Sequence, residues 1–274
     1  MTSSFVLIRG GGDLGSGVAI RLHRAGLFVV ITEQPKPLVV RRFVSFAEAI
    51  YRGKFTVEDV TAKRVYNQEE IIEVLSKGMI PVVVDPQLKF SKILQPLVVV
   101  DASMKKTSPD LGKDAAPLVV GLGPGFEAGK NCHVVVETNR GHSLGRVLWT
   151  GSAKEDTGIP DVVLDKGVER VLRAPAGGRL IACVQIGEFL EKDQLIAEVD
   201  GIPVVSPFKG VLRGLVHPDV HVRKGLKIGD VDPRADPEYC TLVSDKSLAI
   251  GGGVLEAILS IPHFRVKLWE KPFV

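Results

Sequence analysis

The stretch Phe5-Val6-Leu7-Ile8-Arg9-Gly10-Gly11-Gly12-Asp13-Leu14-Gly15 decides the fold prediction for this chain. Its first five residues predict a buried strand, and the apolar spacing that follows predicts a helix over Gly15–Ala25. Between them, Gly10–Gly15 matches the pattern G-x-G-x-x-G in the strand-to-helix setting that the pattern requires. Glycines here allow a tight turn and a close approach of the backbone to a phosphate, and the helix start offers N–H groups to an anion. The other interpretation is a tight turn in which Asp13 caps the helix.

The sequence separation between this glycine turn and a later carboxylate fits a dinucleotide site. The second predicted strand, Phe28–Glu33, ends 21 residues after Gly12 (33 − 12 = 21), where a ribose-binding acidic residue belongs in a dinucleotide site. Two residues depart from the pattern, because Arg9 replaces the usual apolar residue before the turn and Asp13 places a negative charge near the phosphate position. We predict nucleotide binding by Gly10, Gly12, Gly15 and Glu33.

Strands and helices alternate through the first half of the chain. Further strands are predicted at Pro81–Val84, Leu97–Val100, Leu118–Gly121, His133–Thr138 and Arg146–Trp149, and helices at Phe46–Tyr51 and after an Asn67 cap. Such alternation with Val-rich strands is typical of a parallel sheet that is covered on both faces. The last of these strands lack helices between them and are open to an antiparallel arrangement.

Polar and glycine residues follow the predicted strands, at the edge of a doubly wound sheet where ligands bind. Beyond the glycine turn, the cofactor-binding candidates are Arg41, Arg42, Lys105, Gly123 and Gly125, of which the three cations would offset anionic charge. The acid–base candidates, should the protein be an enzyme, are Asp101, Glu137 and His142. Taken singly, such residues usually belong to a solvated loop. Their recurrence at one edge favours a ligand cleft.

The run from Cys132 to His142 is a candidate metal or nucleophile site. On a strand, His133 and Glu137 share a face and Cys132 points to the other. A metal set of His133, Glu137 and His142 would require the turn at Gly141 to fold back. A small apolar cysteine and a surface histidine explain these residues better, so no metal is predicted.

Composition excludes several classes of protein. The 274 residues carry 35 Lys and Arg against 32 Asp and Glu, a net charge of +3, and 6% aromatic residues. This weak charge argues against a nucleic-acid scaffold, and the few aromatics argue against base stacking. Apolar runs fall short of the roughly 20 residues of a membrane span, and the first residues do not resemble a signal peptide. Three widely spaced cysteines suit a reducing cytoplasm.

An internal repeat marks the second half of the chain. Arg173–Val199 aligns without gaps on Val205–Val231 at a constant offset of 32 residues (205 − 173 = 32), so that Gly178 falls on Gly210 and Lys192 on Lys224. Turn residues and apolar positions coincide, which predicts two similar β-units packed about a pseudo-dyad. The stretch from Val168 to Val231 has no helical period, so the predicted module is all-β.

Three consecutive glycines lie in the predicted C-terminal helix, Ser244–Ser260. Gly251, Gly252 and Gly253 each cost roughly 1 kcal/mol relative to alanine in a helix interior. We expect close packing of this backbone against another element as the compensation. An anion held at a helix start is the alternative.

Long strings of this sequence resemble the YqeB-type family of accessory proteins from the selenium-dependent molybdenum hydroxylase system. They are 9–19 with Glu33 to Arg42, Gly123-Pro124-Gly125-Phe126, 137–146, 228–234 and 251–257, and the likeness covers nearly the whole chain. The resemblance implies a cytoplasmic protein that helps to mature or supply a labile-selenium molybdenum hydroxylase. It implies no particular reaction and no catalytic residue.

The β-module separately resembles the barrel-sandwich hybrid of biotinyl and lipoyl domains. Those carriers hold a modified lysine in the hairpin between their halves, whereas the corresponding hairpin here, Asp200-Gly201-Ile202-Pro203, contains no lysine. The module is therefore interpreted as a structural or docking relative. The predicted α/β architecture is a Rossmann-like nucleotide-binding domain at 1–165, the barrel-sandwich module at 166–234 and a C-terminal helical segment at 235–274 that packs back.

The function expected from these features is maturation of a molybdenum hydroxylase, with a nucleotide or molybdopterin dinucleotide in the α/β cleft. Expected partners are the hydroxylase and a small anionic ligand, without nucleic acid or membrane. Two alternatives stay open: an NAD(P)-dependent oxidoreductase of a small substrate, and a non-catalytic adaptor of the hydroxylase. The sequence leaves undecided whether the protein is an enzyme.

Overall fold

The computed structural model describes residues 3–104, 109–156, 158–160 and 162–269. The chain forms two compact units. The first unit comprises 1–35, 46–156 and 243–274, and the second comprises 36–45 and 157–242. The segment Lys36–Ser45, which the sequence placed in the first domain, thus belongs to the second unit. The chain returns to the first unit at Val243.

The first unit is a mixed α/β structure. Its strands are β1 (Ser3–Arg9), β2 (Val29–Glu33), β3 (Lys54–Val57), β4 (Val60–Val65), β5 (Ile80–Val84), β6 (Pro96–Asp101), β7 (Leu118–Leu122), β8 (Glu127–Ala128), β9 (Val134–Val136), β10 (Val147–Leu148) and β11 (Gly151–Ser152). Its helices are α1 (Asp13–Arg24), α2 (Ala49–Arg52), α3 (Gln68–Ser76), α4 (Lys89–Leu94), α5 (Asp245–Leu259) and α6 (Pro262–Lys267). The strands and α-helices predicted for this half of the chain are confirmed, with ends that differ by a few residues.

Within the described residues, a nine-stranded sheet organises the first unit, in the order β10-β9-β7-β6-β1-β2-β5-β4-β3. In sheet order, every neighbouring pair between β9 and β4 is parallel. The pairs β3–β4 and β9–β10 at the two edges are antiparallel. The chain builds outward from β1 to β2 on one side and later from β1 to β6 on the other. Strand order therefore reverses at β1, immediately before the glycine turn.

Helices cover this sheet from both sides. On one face, Phe5, Leu7 and Val99 pack in a buried cluster that includes apolar side chains of α3 and of the α4 region. Helix α5 approaches the other face, where a Cβ atom on Gly253 would lie 2.9 Å from Val136 Cγ1. Because side chains alternate along a strand, Arg9 and Asp101 point to the same face as Leu7 and Val99.

Glycines on both α1 and α5 allow the two helices to lie close together. A Cβ atom on Gly17 would lie 2.5 Å from Ser247 Cβ, and one on Gly251 would lie 2.7 Å from Arg21 Cγ. A Cβ atom on Gly253 would lie 2.1 Å from the carbonyl oxygen of Gly145. The close packing expected for the glycine run is confirmed for Gly251 and Gly253.

The second unit is all-β apart from short 3-10 turns. Its strands are β12 (Val171–Arg173), β13 (Gly178–Ala182), β14 (Phe189–Leu190), β15 (Leu195–Val199), β16 (Ile202–Val205), β17 (Gly210–Leu215), β18 (His221–Val222) and β19 (Lys227–Asp232). They form two sheets, β12-β19-β17-β14 and β16-β15-β13-β18. Adding 32 to the first residues of β13, β14 and β15 gives the first residues of β17, β18 and β19. The predicted repeat is confirmed, and each sheet takes two strands from each copy.

A charged cluster lies inside the second unit. Asp230 is 2% exposed and accepts hydrogen bonds from Arg170 Nη2 at 3.1 Å and from Arg213 Nε at 2.6 Å. Asp232, which is fully buried, accepts from Arg234 and lies 3.3 Å from Arg213 Nη1. Burial lowers the pKa of Arg213, against the attraction of Asp230.

In the part of the chain that the structure describes, no helix is long and apolar enough to cross a membrane.

Candidate functional site

The glycine turn lies where β1 ends and α1 begins. Gly10 has a φ of +99°, a conformation that L side chains rarely adopt. Gly12 is the N-cap of α1, and no side chain caps the helix there. A Cβ atom on Gly15 would lie 2.0 Å from the carbonyl oxygen of Gly10, so the third glycine is required for the helix to leave the turn so closely. The first N–H groups of a helix have no carbonyl partner within the helix, and such groups attract anions.

Glu33 faces this turn from the end of β2. Its Oε2 accepts a hydrogen bond from the Gly11 N–H at 2.7 Å, and its Oε1 accepts one from the Gln34 N–H at 2.7 Å. Burial raises the pKa of the Glu33 carboxyl, and the two backbone N–H groups oppose that rise. The carboxylate that the sequence assigned to a ribose thus lies in contact with the glycine turn.

Ionisation of Glu33 is expected to make stability depend on pH. Because the folded-state pKa lies above its ordinary value near 4.5, the folded protein binds the proton more tightly than the unfolded chain does. Lowering the pH from above the folded-state pKa to about 4.5 should therefore stabilise the wild type relative to Glu33→Gln. Urea unfolding of both proteins across this range measures the difference. A difference that is flat with pH, or that grows toward high pH, would contradict the expectation.

Arg9 joins the turn to the neighbouring strand. Its Nη1 donates to Asp101 Oδ2 at 3.0 Å, and its Nη2 donates to Asp110 Oδ2 at 3.0 Å. Arg9 is 7% exposed and Asp101 is 1% exposed, whereas the Asp110 side chain is 55% exposed. These carboxylates raise the pKa of Arg9 against the opposing effect of burial. Asp101 also accepts from the Ser103 N–H at 3.0 Å, so this acid–base candidate is held in a structural ion pair.

Thr32 lies beside Arg9 with an unsatisfied hydroxyl. The strand register pairs Arg9 with Thr32, and Thr32 is 1% exposed. Among the described residues, its Oγ1 has no hydrogen-bond partner. A buried hydroxyl without a partner opposes folding.

Thr32→Val should therefore stabilise the protein by about 1 kcal/mol, since valine keeps the shape and removes the hydroxyl. Thr56→Val is the matched control, because the exposed Thr56 hydroxyl is bonded to Thr61 at 2.9 Å and its removal brings no such gain. Urea unfolding followed by tryptophan fluorescence compares the two. A Thr32→Val protein that is less stable than the wild type would show that the hydroxyl is used.

Asp13 is drawn toward α5. Its Oδ1 accepts a hydrogen bond from Ser247 Oγ at 2.7 Å, and Ser244 caps α5 by accepting from the Ser247 N–H at 3.1 Å. Asp245, in the first turn of α5, forms a two-point ion pair with Arg140. The Asp13 carboxylate, which the sequence pattern places near a phosphate, is thus tied to a second helix start.

The loops after β7 and β9 are shaped by their own backbone requirements. Gly123 has a φ of +73° and Gly125 a φ of +93°, and a Cβ atom on Gly123 would lie 2.3 Å from Thr138 Oγ1. Glu137 is 2% exposed, and its carboxylate accepts from the N–H groups of Asn139 and Lys154 at 2.7 and 2.9 Å. Glu137 therefore holds loops together, as Asp101 does.

The remaining candidates are an exposed histidine, two arginines of the second unit and a lysine outside the described residues. His142 is exposed. Arg41 and Arg42 belong to the second unit, where Arg41 donates to the carbonyl oxygens of Tyr239 and Leu242 and Arg42 donates to that of Leu215. Lys105 lies outside the described residues.

Chemistry at Cys132 is not favoured. The thiol is buried, and burial raises its pKa to about 11, so the reactive thiolate is scarce at neutral pH. Among the described residues, no group of three or more His, Cys, Asp and Glu side chains is placed to hold a metal ion.

Two contacts of the site could not be inferred from the sequence. Asp110 reaches Arg9 across 101 positions, and Ser247 reaches Asp13 across 234. The unusual Arg9 before the turn was the available signal for the first, since a buried arginine needs a carboxylate. For the second, the glycine run of α5 indicated close packing but not its partner.

One curated relative is similar in sequence to almost the whole of this chain. It is 45% identical over 262 residues to the uncharacterised protein YqeB of Escherichia coli (strain K12), and the alignment covers 96% of this chain and 48% of that protein. The chain thus spans about half the length of this relative. The similarity supports the resemblance to YqeB noted above and carries no reaction, cofactor or partner.

Solved structures offer weak likenesses, and no family model matches the chain. An aspartoacylase family protein of Mesorhizobium loti has a TM-score of 0.25 at 10% identity, covering 74% of this chain and 56% of that one. The product-bound ectoine utilisation protein EutE (DoeB) of Ruegeria pomeroyi has a TM-score of 0.27 at 10% identity, covering 84% and 85%. A succinylglutamate desuccinylase of Silicibacter sp. has a TM-score of 0.26 at 11% identity, covering 84% and 85%.

Proposed function

We propose that the first unit binds a nucleotide-bearing cofactor at the glycine turn, and that the protein serves as an accessory factor in the maturation of a selenium-dependent molybdenum hydroxylase. The cofactor in this proposal is the dinucleotide form of the molybdenum cofactor or a related nucleotide. The observation that carries the binding proposal is the Glu33 carboxylate, which lies 2.7 Å from the Gly11 N–H beside the start of α1.

Strand order supports a nucleotide at this place. Of the seven parallel strands in the described residues, the six that remain when β4 is set aside run β5-β2-β1-β6-β7-β9. In chain order this is 3-2-1-4-5-6, the order of Rossmann-like dinucleotide-binding sheets. Ligands in such sheets bind at the carboxyl ends of the strands, where the order reverses. The glycine turn occupies this position after β1.

The chemistry of the turn supports an anion next to a ribose. Helix α1 presents N-terminal N–H groups that no side chain caps, and these attract phosphate oxygens. Each Glu33 oxygen accepts one backbone N–H and retains capacity for a further donor. A ribose hydroxyl would supply such a donor. The fixed Asp13–Ser247 bond directs the Asp13 charge toward α5.

The role in hydroxylase maturation is supported by the resemblance to YqeB-type accessory proteins. The second unit supports a docking function within that role, because its repeat, with strands shared between two sheets, is like a barrel-sandwich hybrid. Its hairpin at Asp200 and Gly201 joins β15 to β16 and offers no lysine for a carried group. Asp101 and Glu137 accept backbone N–H groups and act in positioning, so no catalytic step is assigned to them.

Calorimetric titration of the purified protein with cytidine nucleotides, NAD and molybdopterin dinucleotide tests the binding proposal. We expect one of these to bind at one site, and Glu33→Gln to weaken it by about ten-fold or more, since a bond to a charged acceptor is worth about 1.5–3 kcal/mol. Glu256→Gln, on the exposed side of α5, is the matched control and should bind normally.

The outcomes separate the alternatives. No binding of any of the three nucleotides would overturn the proposal, as would binding that Glu33→Gln leaves at full strength. Binding of NAD with turnover of a small substrate would favour an oxidoreductase. A stable complex with the hydroxylase that survives Gly12→Val would favour an adaptor that works without the cofactor.

A further inference from the structure

A cavity of about 990 Å³ lies in the first unit along α4. Its lining begins at Arg9, the last residue of β1, and at Pro86, beyond the carboxyl end of β5. It ends at Pro96, Pro117 and His133, at the amino ends of β6, β7 and β9. The cavity therefore extends along a face of the sheet, away from the glycine turn. We call it the α4 cleft.

His133 presents a defined donor to the α4 cleft. Its Nδ1 accepts a hydrogen bond from the Val119 N–H at 3.0 Å, and its backbone N–H donates to the Val119 carbonyl at 2.9 Å. A neutral imidazole with an accepting Nδ1 carries its proton on Nε2. Burial lowers the pKa of His133, so this neutral form persists near pH 7. Among the described residues, nothing accepts a bond from Nε2.

Lys113 places a cation near this donor. Its ammonium donates to the Gly129 carbonyl at 2.8 Å, which fixes the otherwise flexible side chain, and its charge contributes to the lowered pKa of His133. Lys92 adds a second cation to the lining, and Asp114 adds one exposed carboxylate. Arg9 is offset by Asp101 and Asp110. With Arg9 offset in this way, the remaining charged groups of the lining are two lysines and one carboxylate.

Apolar groups complete the cleft. Leu88 is 6% exposed and packs in the core beneath α4, and Leu111 is half-buried. Both line the cavity together with prolines at the strand starts. The lining combines these apolar groups with a larger number of polar ones, and a concave site of this volume is typical of small-molecule binding.

We propose that the α4 cleft binds an organic anion with an apolar ring, its acidic group between His133 Nε2 and the Lys113 ammonium and its ring against Leu111 and Ala116. The acidic group is a carboxylate or a phosphate, because both accept from a neutral N–H and an ammonium. This site is separate from the proposed nucleotide site and does not depend on it.

The test uses 8-anilinonaphthalene-1-sulfonate, an aromatic anion, as a fluorescent probe on the full chain. We expect binding at one saturable site, with displacement by benzoate or by phenyl phosphate, which distinguishes a carboxylate ligand from a phosphate ligand. His133→Asn keeps an acceptor near the Val119 N–H and removes the Nε2 donor, and Lys113→Met removes the charge. Each substitution should weaken the binding of the probe and of its competitor at least five-fold.

Controls keep the result specific. Lys130→Met removes an exposed lysine paired with Glu127 and should bind normally. Glu33→Gln should also bind normally, so that loss of nucleotide binding and loss of anion binding are distinguishable. The proposal is overturned if neither competitor displaces the probe, or if His133→Asn and Lys113→Met both bind it as the wild type does.

Discussion

Asp230→Ala is expected to destabilise the second unit by about 3–5 kcal/mol, because it leaves buried arginine charge without its carboxylate. Asp230 is bonded to Arg170 and Arg213, and Arg170 is 4% exposed. Asp232 remains near Arg213 at 3.3 Å, whereas the ion pair of Arg170 with Asp230 is lost. Asp230→Asn keeps the size of the side chain and should still lose most of this stability.

Amide hydrogen exchange in β17 and β19 measures this effect. Both tryptophans of the chain, Trp149 and Trp269, belong to the first unit, so their fluorescence reports on that unit alone. Glu191→Ala is the control, because it breaks the exposed pair with Lys209 and should cost less than about 1 kcal/mol. Unchanged protection in β17 and β19 of Asp230→Ala would refute a stabilising role for the cluster.

Arg9→Met is expected to cost the first unit about 3 kcal/mol or more, since it leaves the Asp101 carboxylate buried without a counter-charge. Methionine keeps an apolar stem in place of the arginine stem, so the loss reports on charge more than on packing. Urea unfolding followed by tryptophan fluorescence measures the loss.

Two further variants isolate the buried partner. Asp110→Asn removes only the exposed carboxylate and should cost less than about 1 kcal/mol. Arg9→Met combined with Asp101→Asn removes both buried charges and should recover part of the lost stability. An Asp110→Asn protein as unstable as Arg9→Met would place the stabilising contact at the surface instead.

The local patterns of this sequence carried much of the fold. The glycine turn lies between a buried strand and a helix, as predicted, because Gly10 needs its positive φ and Gly15 its missing side chain. The offset of 32 residues locates the strands of the second unit because both copies place glycine at equivalent strand starts, Gly178 and Gly210. Glu33 contacts the turn because the lengths of α1 and β2 determine where β2 ends.

The sequence did not predict the hairpin β3–β4 or helix α4, because the turns that bound them lack the usual glycine or asparagine. The hairpin β3–β4 turns at Glu58, whose φ is +53°, and neither glycine nor asparagine marks the position. Helix α4 is bounded by Leu88 and Gln95, which have φ values of +54° and +47°. Its N–H groups are capped by Asp85, which accepts from Lys89 and Phe90.

The candidate site was predicted less fully than the fold. Patterns along the chain placed polar residues after the strands, and strand order does bring those positions to one edge. They could not tell which carboxylates bind backbone N–H groups, as Asp101 and Glu137 do. Nor could they show that Arg41 and Arg42 donate to carbonyl oxygens of the second unit, because that segment leaves the α/β unit at Lys36.

The position of α5 has a consequence for biosynthesis. This helix packs against α1, yet the whole chain from Ala25 to Ser244, including a complete β-module, is translated between them. While the ribosome is still making the module, the glycine side of α1 and the face of the sheet around Val136 stay uncovered. The nascent α/β unit therefore finishes folding only after Leu259 has left the exit tunnel.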